Sequence, residues 1–140
     1  MSDFRFPTRV QKLRERLAQD NLDALFISNA ENRRYISGFE SSAGYLLVTR
    51  HNAVICTDFR YIEQASQQAP GWRVDRIGGK PDWLANLVKE LEIKALGFEA
   101  DDMTVETLER FRKNLKQNNA NSKLKPTSSI CVELRAYKDD

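Results

Sequence analysis

The sequence predicts an α/β fold, namely a three-layer α/β/α sandwich with a mixed, mostly parallel sheet that contains one hairpin. Short apolar runs typical of buried strands alternate with amphipathic helical patterns, as they do in α/β folds. Two neighbouring runs are separated only by a short polar turn, which predicts one antiparallel pair in the sheet. The 140 residues, of which 41% are hydrophobic, suit one globular domain.

The first elements are a helix, a strand and a hairpin. Pro7 suits the first turn of a helix, because it lacks the N–H that this turn leaves unbonded. Apolar residues then recur at helical spacing up to Leu17. Residues 23–28, DALFIS, have the pattern of a buried strand. Residues 44–58, GYLLVTRHNAVICTD, contain two strand-like runs around a polar turn at 49–52, and therefore predict the hairpin.

The second half repeats the alternation of helices and strands. In chain order, the patterns predict a helix between Asp58 and Pro70, a strand over 72–77, a helix from Pro81, a strand over 94–100, and a helix capped by Asp101, Asp102 or Thr104. The buried face of this last helix is expected to contain Val105, Leu108, Phe111 and Leu115. Residues 116–129 are polar and turn-rich, so we expect a long connection before a final apolar, strand-like run over 129–134.

Charge and hydropathy argue against nucleic acid and membrane as partners. The 22 basic and 20 acidic residues are spread along the chain and give a net charge of only +2, which provides no electrostatic footprint for DNA or RNA. No apolar run approaches the length of a membrane-spanning helix, and the charged first residues do not resemble a signal peptide. We therefore expect a cytoplasmic protein in which Cys56 and Cys131 are buried, reduced thiols.

Residues suited to catalysis or metal binding are scarce. His51 is the single histidine, and its place in the hairpin turn predicts a solvated surface residue rather than a base or ligand. Transition-metal sites usually need several histidine, cysteine or carboxylate ligands, which this sequence does not cluster. Residues 77–83, IGGKPDW, lack the G-x-x-x-x-G-K-S/T spacing of a phosphate-binding loop, so we expect a strand-to-helix turn there. We predict no catalytic residue, metal site or cofactor in these 140 residues.

The run over residues 31–44, ENRRYISGFESSAG, concentrates polar and aromatic side chains between two apolar stretches. One interpretation is packing: Tyr35 and Phe39 bury their rings, and Gly38 supplies a backbone conformation that other residues resist. The other interpretation is binding, in which Arg33 or Arg34 meets a carboxylate through its guanidinium group. The residues of this run by themselves do not choose between the two.

Four motifs in this sequence resemble one family. Residues 32–48, NRRYISGFESSAGYLLV, are similar to the N-x-R-Y-L/I-S/T-G-F … S-x-G-x-L-L-V signature of the amino-terminal domain of Xaa-Pro aminopeptidases and prolidases, which creatinase shares. Residues 57–65, TDFRYIEQA, resemble the family's T-D-x-R-Y-x-E-Q-A, and residues 96–99, LGFE, resemble its I/L-G-F-E. Residues 134–139, LRAYKD, resemble the L-R-x-x-K-S/D at the junction with a catalytic domain.

The resemblance implies a division of labour between two domains. Residues 1–134 would form a creatinase/prolidase-type amino-terminal domain, and residues 135–140 would begin the linker to a carboxyl-terminal catalytic domain. In this family the catalytic domain has a pita-bread fold and holds two divalent metal ions (manganese, cobalt or zinc) that activate water and polarise the scissile carbonyl. The resemblance thus implies an inactive domain, expressed separately or excised from a metal-dependent Xaa-Pro peptidase that is a homodimer and cleaves proline-containing peptides.

The same resemblance suggests roles for particular residues. The candidates for facing the active-site mouth or a partner subunit are Asn32, Arg33, Arg34, Tyr35, Phe39 and Ser41. The residues expected to maintain the structure are Gly38, Gly44, Asp58, Arg60 and Tyr61, the last three by capping, pairing across and packing on one helix turn. The domain itself would support dimerisation and shape access to the active site.

Three alternatives stay open at the level of the sequence. The same fold serves in proteins without peptidase activity that bind other proteins, so a protein-interaction module is the main competitor. The resemblance also fits the amino-terminal domain of a creatinase-type amidinohydrolase. A free-standing small-molecule-binding domain would use the pocket that open sheets form at strand carboxyl ends, but the sequence offers no phosphate loop for it.

Overall fold

The structure, a computed structural model, describes residues 5–78 and 81–136. Helices and strands alternate along this part of the chain. In order they are α1 (Arg5–Gln19), β1 (Ala24–Ile27), α2 (Ala30–Ser37), β2 (Tyr45–Thr49), β3 (Ala53–Thr57), α3 (Ile62–Gln68), β4 (Arg73–Arg76), α4 (Trp83–Glu90), β5 (Ala95–Glu99), α5 (Val105–Gln117), β6 (Lys123–Thr127) and α6 (Ile130–Arg135). A short 3₁₀ turn, Phe59–Tyr61, precedes α3.

The strands form one six-stranded sheet in the order β4-β3-β2-β1-β5-β6. Strand β2 is antiparallel to both of its neighbours, whereas the other pairings are parallel, so β2 alone runs against the remaining five strands. The carboxyl ends of those five strands and the beginning of β2 therefore meet at one edge of the sheet, which we call the carboxyl edge. The mixed, mostly parallel sheet with one hairpin is confirmed.

Helices cover both faces of the sheet. Alternate strand residues such as Leu25 and Ile27 face a core that includes residues of α1, α2, α3 and α6. Their neighbours, such as Ala24 and Phe26, face a second core with α4 and α5. This period-two alternation on strands that are buried on both sides confirms the three-layer sandwich.

Four aromatic rings anchor the α4 and α5 side of the sheet. Phe26 stacks on Tyr45 with a centroid separation of 4.6 Å, and it meets Phe111 edge-on at 5.3 Å. Trp83 closes the cluster at 6.0 Å from Phe26. Aromatic pairs at such separations contribute beyond the area that they bury. The cluster joins two central strands to both helices of this layer.

One predicted connection is a helix in the structure. Residues 30–37, which include the first part of the run over 31–44, form α2. Asn29 caps the start of this helix, because its side chain accepts a hydrogen bond from the Asn32 N–H. The helix ends at Gly38, which adopts the left-handed conformation with φ of 84°. Both caps are standard helix signals. The helix of eight residues is too short to reveal itself through an extended apolar stripe.

Two further elements differ from the prediction near the end of the chain. The expected connection over 116–129 contains β6, and the expected strand-like run over 129–134 is α6. Strand β6 is an edge strand that is exposed on much of its length and includes Pro126, so its sequence lacks an apolar pattern. In α6 only Ile130 and Cys131 are buried, and an apolar run this short has no diagnostic period.

Smaller corrections concern element ends. Helix α4 begins at Trp83 rather than at Pro81, and Gly79 and Lys80 of the expected turn lie outside the described residues. Of the face of α5 that was expected to be buried, only Leu115 is buried; Leu108 and Phe111 are half-buried, and Val105 is 76% exposed, because the residues of α5 that pack on the core begin at Phe111. The domain boundary expected between residues 134 and 135 stays a prediction; it lies in the last turn of α6, and residues 137–140 of the expected linker lie outside the described part.

The expectations for the two cysteines and for the histidine agree with the structure. Cys56 and Cys131 are free and buried, and burial raises the pKa of each thiol. His51 is exposed in the turn between β2 and β3. Within residues 5–78 and 81–136, none of the helices is both long and apolar enough to span a bilayer.

We predict that Phe26→Ala lowers the free energy of unfolding by about 3 to 5 kcal/mol, because it removes a fully buried ring from the aromatic cluster. Phe59→Ala is the matched control, since Phe59 is 67% exposed, and we expect a change within about 0.5 kcal/mol. Urea denaturation followed by tryptophan fluorescence measures both. Equal losses in the two variants would contradict the assignment of the cluster as a core.

Candidate functional site

The carboxyl edge of the sheet brings together polar residues that are far apart in the sequence. At its centre lies Glu99, the last residue of β5, which is only 5% exposed. Its Oε1 accepts hydrogen bonds from the backbone N–H groups of Ser28 and Asn29, at 2.8 and 2.9 Å. Its Oε2 accepts a hydrogen bond from Nδ2 of Asn32 at 2.6 Å. Glu99 therefore joins the end of β5 to the end of β1 and the start of α2.

The charge of Glu99 is held by local dipoles rather than by a cation. Burial raises the pKa of the Glu99 carboxyl group, and the hydrogen bonds from Asn29, Asn32 and Ser28 oppose that effect. The carboxylate lies at the beginning of α2, where unpaired N–H groups favour negative charge. Nearby, Asp102 accepts hydrogen bonds from Ser28 Oγ at 2.6 Å and from Asn29 Nδ2 at 3.3 Å. Two carboxylates thus hold the same turn after β1.

Arg33 lies inside the domain, with an exposed fraction of 4%. Its Nη1 donates to the Ser28 carbonyl, and its Nη2 donates to the Ser41 carbonyl at 2.8 Å. Its Nε is buried without a partner, and among the described residues it forms no ion pair. Burial lowers the pKa of the guanidinium group. Arg33 therefore acts as a hydrogen-bonded bridge between the turn after β1 and the loop before β2.

The opposite side of α2 borders an open groove of about 710 Å³, which we call the α1–α2 groove. Its lining includes Phe6, Arg9, Arg34, Tyr35, Ser41 and Arg135. Arg9 donates to the Tyr35 carbonyl at 2.8 Å, and its guanidinium carbon lies 3.9 Å from the centroid of the Tyr35 ring. Arg34 is exposed at this groove. Four arginines and two glutamates line the groove, so its net charge is positive and favours a negatively charged group.

The six candidate residues divide into two sets. Asn32, Arg33 and Phe39 are buried and contact the interior of the domain, so packing and internal hydrogen bonds account for them. A residue that faces an active-site mouth or a partner needs an accessible side chain. The side chains of these three residues are not accessible in this domain. Arg34, Tyr35 and Ser41 line the α1–α2 groove and keep the expectation of such a role. The packing interpretation of the run over 31–44 thus accounts for the inner face of α2, and the binding interpretation stays a prediction for its outer face.

Two glycines allow the loop after α2 to pack closely. At Gly38, which has a positive φ, an added Cβ would lie 3.2 Å from the Gln68 carbonyl oxygen. At Gly44, with φ of 129°, an added Cβ would lie 3.0 Å from the Cys56 carbonyl oxygen. A side chain at either position would be strained by its backbone conformation and by its backbone neighbour. These glycines bring the loop onto α3 and β3.

Asp58, Arg60 and Tyr61 organise the turn that follows β3. Asp58 caps the 3₁₀ turn by accepting a hydrogen bond from the Arg60 N–H at 2.9 Å. The Arg60 guanidinium also donates to both Asp58 oxygens and lowers the pKa of that carboxyl group. The Tyr61 hydroxyl lies 3.1 Å from Ser42 Oγ, which connects this turn to the loop before β2.

Three residues of this network have no role predicted from the sequence. They are Glu99, Arg135 and Asp102, the last in its contact with the turn after β1. A charged residue that ends an apolar strand was a signal for Glu99, because LGFE places a carboxylate where a parallel strand meets a sheet edge. No signal in the sequence connects it to Asn32, from which it is separated by 67 residues. Arg135 donates to Asn32 Oδ1 at 3.1 Å and so belongs to the same network.

The described residues do not fit a metal ion. Residues 5–78 and 81–136 contain no cluster of three or more histidine, cysteine, aspartate or glutamate side chains that could hold one. Glu99 and Asp102 both face hydrogen-bond donors of the turn after β1. The chemistry of this donor set is that of a structural network.

Comparisons with known proteins match almost the whole chain. The model of the creatinase/prolidase N-terminal domain family matches residues 9–137. Among curated proteins, the uncharacterized peptidase YqhT of Bacillus subtilis (strain 168) is 33% identical over 131 residues, which are 93% of this chain and 36% of YqhT. Among solved structures, the Xaa-Pro dipeptidase from Bacillus anthracis has a TM-score of 0.86 and 34% identity, over 95% of this chain and 36% of that chain.

A third relative has the same extent as this chain. The N-terminal domain of the cytoplasmic peptidase PepQ from Mycobacterium tuberculosis H37Rv has a TM-score of 0.83 and 37% identity, over 91% of this chain and 98% of that chain. By contrast, the chain spans about a third of the length of YqhT and of the dipeptidase from B. anthracis. The similarity therefore concerns one domain of longer peptidases.

We predict that Glu99→Ala lowers the free energy of unfolding by about 3 kcal/mol. The substitution leaves two backbone N–H groups and the Asn32 amide without their acceptor in a buried site, and each such loss is costly. Glu15→Ala, at an exposed position within α1, is the matched control and is expected to change stability by less than about 0.5 kcal/mol. Chemical denaturation at pH 7 measures the free energy of unfolding of both variants. An unchanged free energy in Glu99→Ala would refute the role given to the carboxylate.

Proposed function

The chain belongs to the creatinase/prolidase N-terminal domain family, and on that premise we propose that it is the non-catalytic N-terminal domain of a metal-dependent peptidase that hydrolyses Xaa-Pro peptide bonds. The observation that carries this proposal is the match to a separate N-terminal domain, that of PepQ, over nearly the full length of both chains. Residues 1–134 constitute the domain, and residues 135–140 begin the linker to a catalytic domain. The name of that relative supports a cytoplasmic location.

The bond cleavage belongs to the carboxyl-terminal domain in this proposal. Two divalent metal ions, of manganese, cobalt or zinc, would be held there, where they would supply an activated water molecule and a polarised carbonyl group. In the domain described here, the carboxylates of Glu99 and Asp102 bind the turn after β1, and His51 is exposed at the other edge of the sheet. No step of the reaction is assigned to these residues.

The α1–α2 groove is the surface through which the domain would contribute to the intact peptidase. Its lining includes Arg34, Tyr35 and Ser41, which lie in the motif that resembles the family. It also includes Arg135, the last residue of α6. In this proposal the Arg34 guanidinium group binds a carboxylate. That carboxylate belongs to the substrate, or to a residue of the catalytic domain or of a partner subunit. In this way the domain shapes access to the active site of a homodimer.

The first test uses the 140-residue chain alone. We expect no release of amino acids from Xaa-Pro dipeptides or longer proline-containing peptides, with or without added manganese, because the described residues cluster no metal ligands. Liquid chromatography of the products, next to a full-length Xaa-Pro dipeptidase as a positive control, measures the activity. Hydrolysis by the purified chain, retained after removal of contaminating peptidases, would overturn the proposal.

The second test concerns Arg34 in the peptidase that contains this domain. We expect Arg34→Ala to lower kcat/KM by about tenfold, as the loss of one charge-assisted hydrogen bond predicts. Arg50→Ala is the matched control, since Arg50 is exposed in the hairpin turn at the opposite edge of the sheet. Arg33→Ala is a poor probe, because Arg33 is buried and its loss would affect folding. Equal kcat/KM values for the Arg34 and Arg50 variants would remove the groove from the mechanism.

A further inference from the structure

Helix α6 is the last described element, and apolar packing accounts for only part of its position. Only Ile130 and Cys131, in its first turn, are buried. Val132 is 51% exposed, and in the second half of the helix only Leu134 is half-buried, where it packs against the core beneath α1, α2 and α3. The helix has six residues and no side-chain cap at Ser129, so it is too short to be stable by itself. Contacts from other elements must hold its second half.

Two elements, α1 and α2, supply polar contacts to this part of the helix. Arg16 of α1 forms an ion pair with Glu133. The Tyr35 hydroxyl of α2 donates to the Leu134 carbonyl at 3.2 Å. Arg135 donates to Asn32 Oδ1 at 3.1 Å and lies 3.3 Å from Glu31 Oε2. The ion pairs are partly exposed and contribute little each. The contact with Asn32 differs, because Asn32 is buried.

The Asn32 amide is fixed at both ends. Its Nδ2 donates to Glu99 at 2.6 Å, and its Oδ1 accepts from Arg135. A flipped amide would place its NH₂ group against the guanidinium and its oxygen against the carboxylate, so only one orientation satisfies both neighbours. Glu99 in turn is fixed by the backbone N–H groups of Ser28 and Asn29. A continuous chain of hydrogen bonds thus runs from the central strands to the end of α6.

We propose that Glu99 and Asn32 are positioning residues, which act through Arg135 to fix the end of α6 and so the direction in which the polypeptide leaves the sandwich. Three of the sequence motifs, around Asn32, Glu99 and Arg135, converge on this one connection, which we call the exit latch. In the two-domain peptidase of the proposed function, on which this last step rests, the exit latch sets how the catalytic domain meets the α1–α2 groove, because Arg135 also lines that groove.

The test measures amide hydrogen exchange at residues 133–136 of the 140-residue chain by NMR, relative to the amides of α1. Arg135→Met keeps the apolar stem of the side chain and removes its donors. We expect it to raise exchange by about tenfold, which corresponds to about 1.4 kcal/mol. Arg112→Met, at an exposed arginine of α5 that pairs with Glu109, is the matched control and should leave these amides unchanged. Unchanged exchange in Arg135→Met would overturn the proposal.

A second comparison separates the exit latch from a purely local contact. Glu99 forms no hydrogen bond with the described residues of α6, yet Glu99→Gln should raise exchange at residues 133–136. Its NH₂ group meets donors in either orientation, namely the Asn32 amide or the N–H groups of Ser28 and Asn29, and so breaks the chain of hydrogen bonds. Combined with Arg135→Met, it should add little to the effect of Arg135→Met alone, since both break one connection. The coupling would be refuted if the increase in exchange rate of the double variant equalled the product of the increases in the two single variants. Arg135→Lys should retain more protection than Arg135→Met, and equal exchange in these two variants would also refute it.

The proposed function and the exit latch would be refuted by different results. The exchange experiment uses a chain from which no peptidase activity is expected, so a negative result would leave the proposed function intact. Absence of Xaa-Pro peptidase activity in the longer protein would refute the proposed function and leave the measured exit latch unaffected.

Discussion

The buried carboxylate of Glu99 is the interaction on which the functional end of this domain depends. It lies where β5 ends, and it satisfies backbone donors of the turn after β1 and the amide of Asn32 on α2. Without an acceptor at this place, the N–H groups of Ser28 and Asn29, in the turn before α2, would be left unpaired, which is costly away from water. Helix α2 then orients every residue of the run that lies between β1 and β2. The position of the α1–α2 groove follows from this anchor.

The topology of the sheet explains why these groups meet. Since β2 alone runs against the other strands, the residues that follow β1 and β5 and the residues that precede β2 lie at the same carboxyl edge. Arg33 uses this proximity to bridge the Ser28 and Ser41 carbonyls. The burial of its charge without an ion pair among the described residues is a cost that the surrounding packing has to offset. Such residues stabilise one arrangement of the edge and leave recognition to the exposed side of α2.

This separation of faces fits a domain that supports chemistry performed elsewhere. The inner face of α2 holds hydrogen bonds that fix the fold, and the outer face presents Arg34 and Tyr35 to an open groove. The end of α6 borders the same groove through Arg135, so the last described helix and the proposed contact surface are adjacent.

The sequence by itself determined the fold class, most of the strands and helices, the buried cysteines and, through four short motifs, the family. These properties are local: apolar periodicity, caps and turns are encoded within a few neighbouring residues. Strand β6 and helix α6 could not be predicted, because an edge strand has little apolar pattern and a six-residue helix has no readable period. Only the tertiary structure decided that Asn32 and Arg33 face inward while Arg34 faces the groove. That decision depends on Glu99 and Arg135, which are 67 and 103 residues from Asn32 along the chain and meet it only after the sheet has formed.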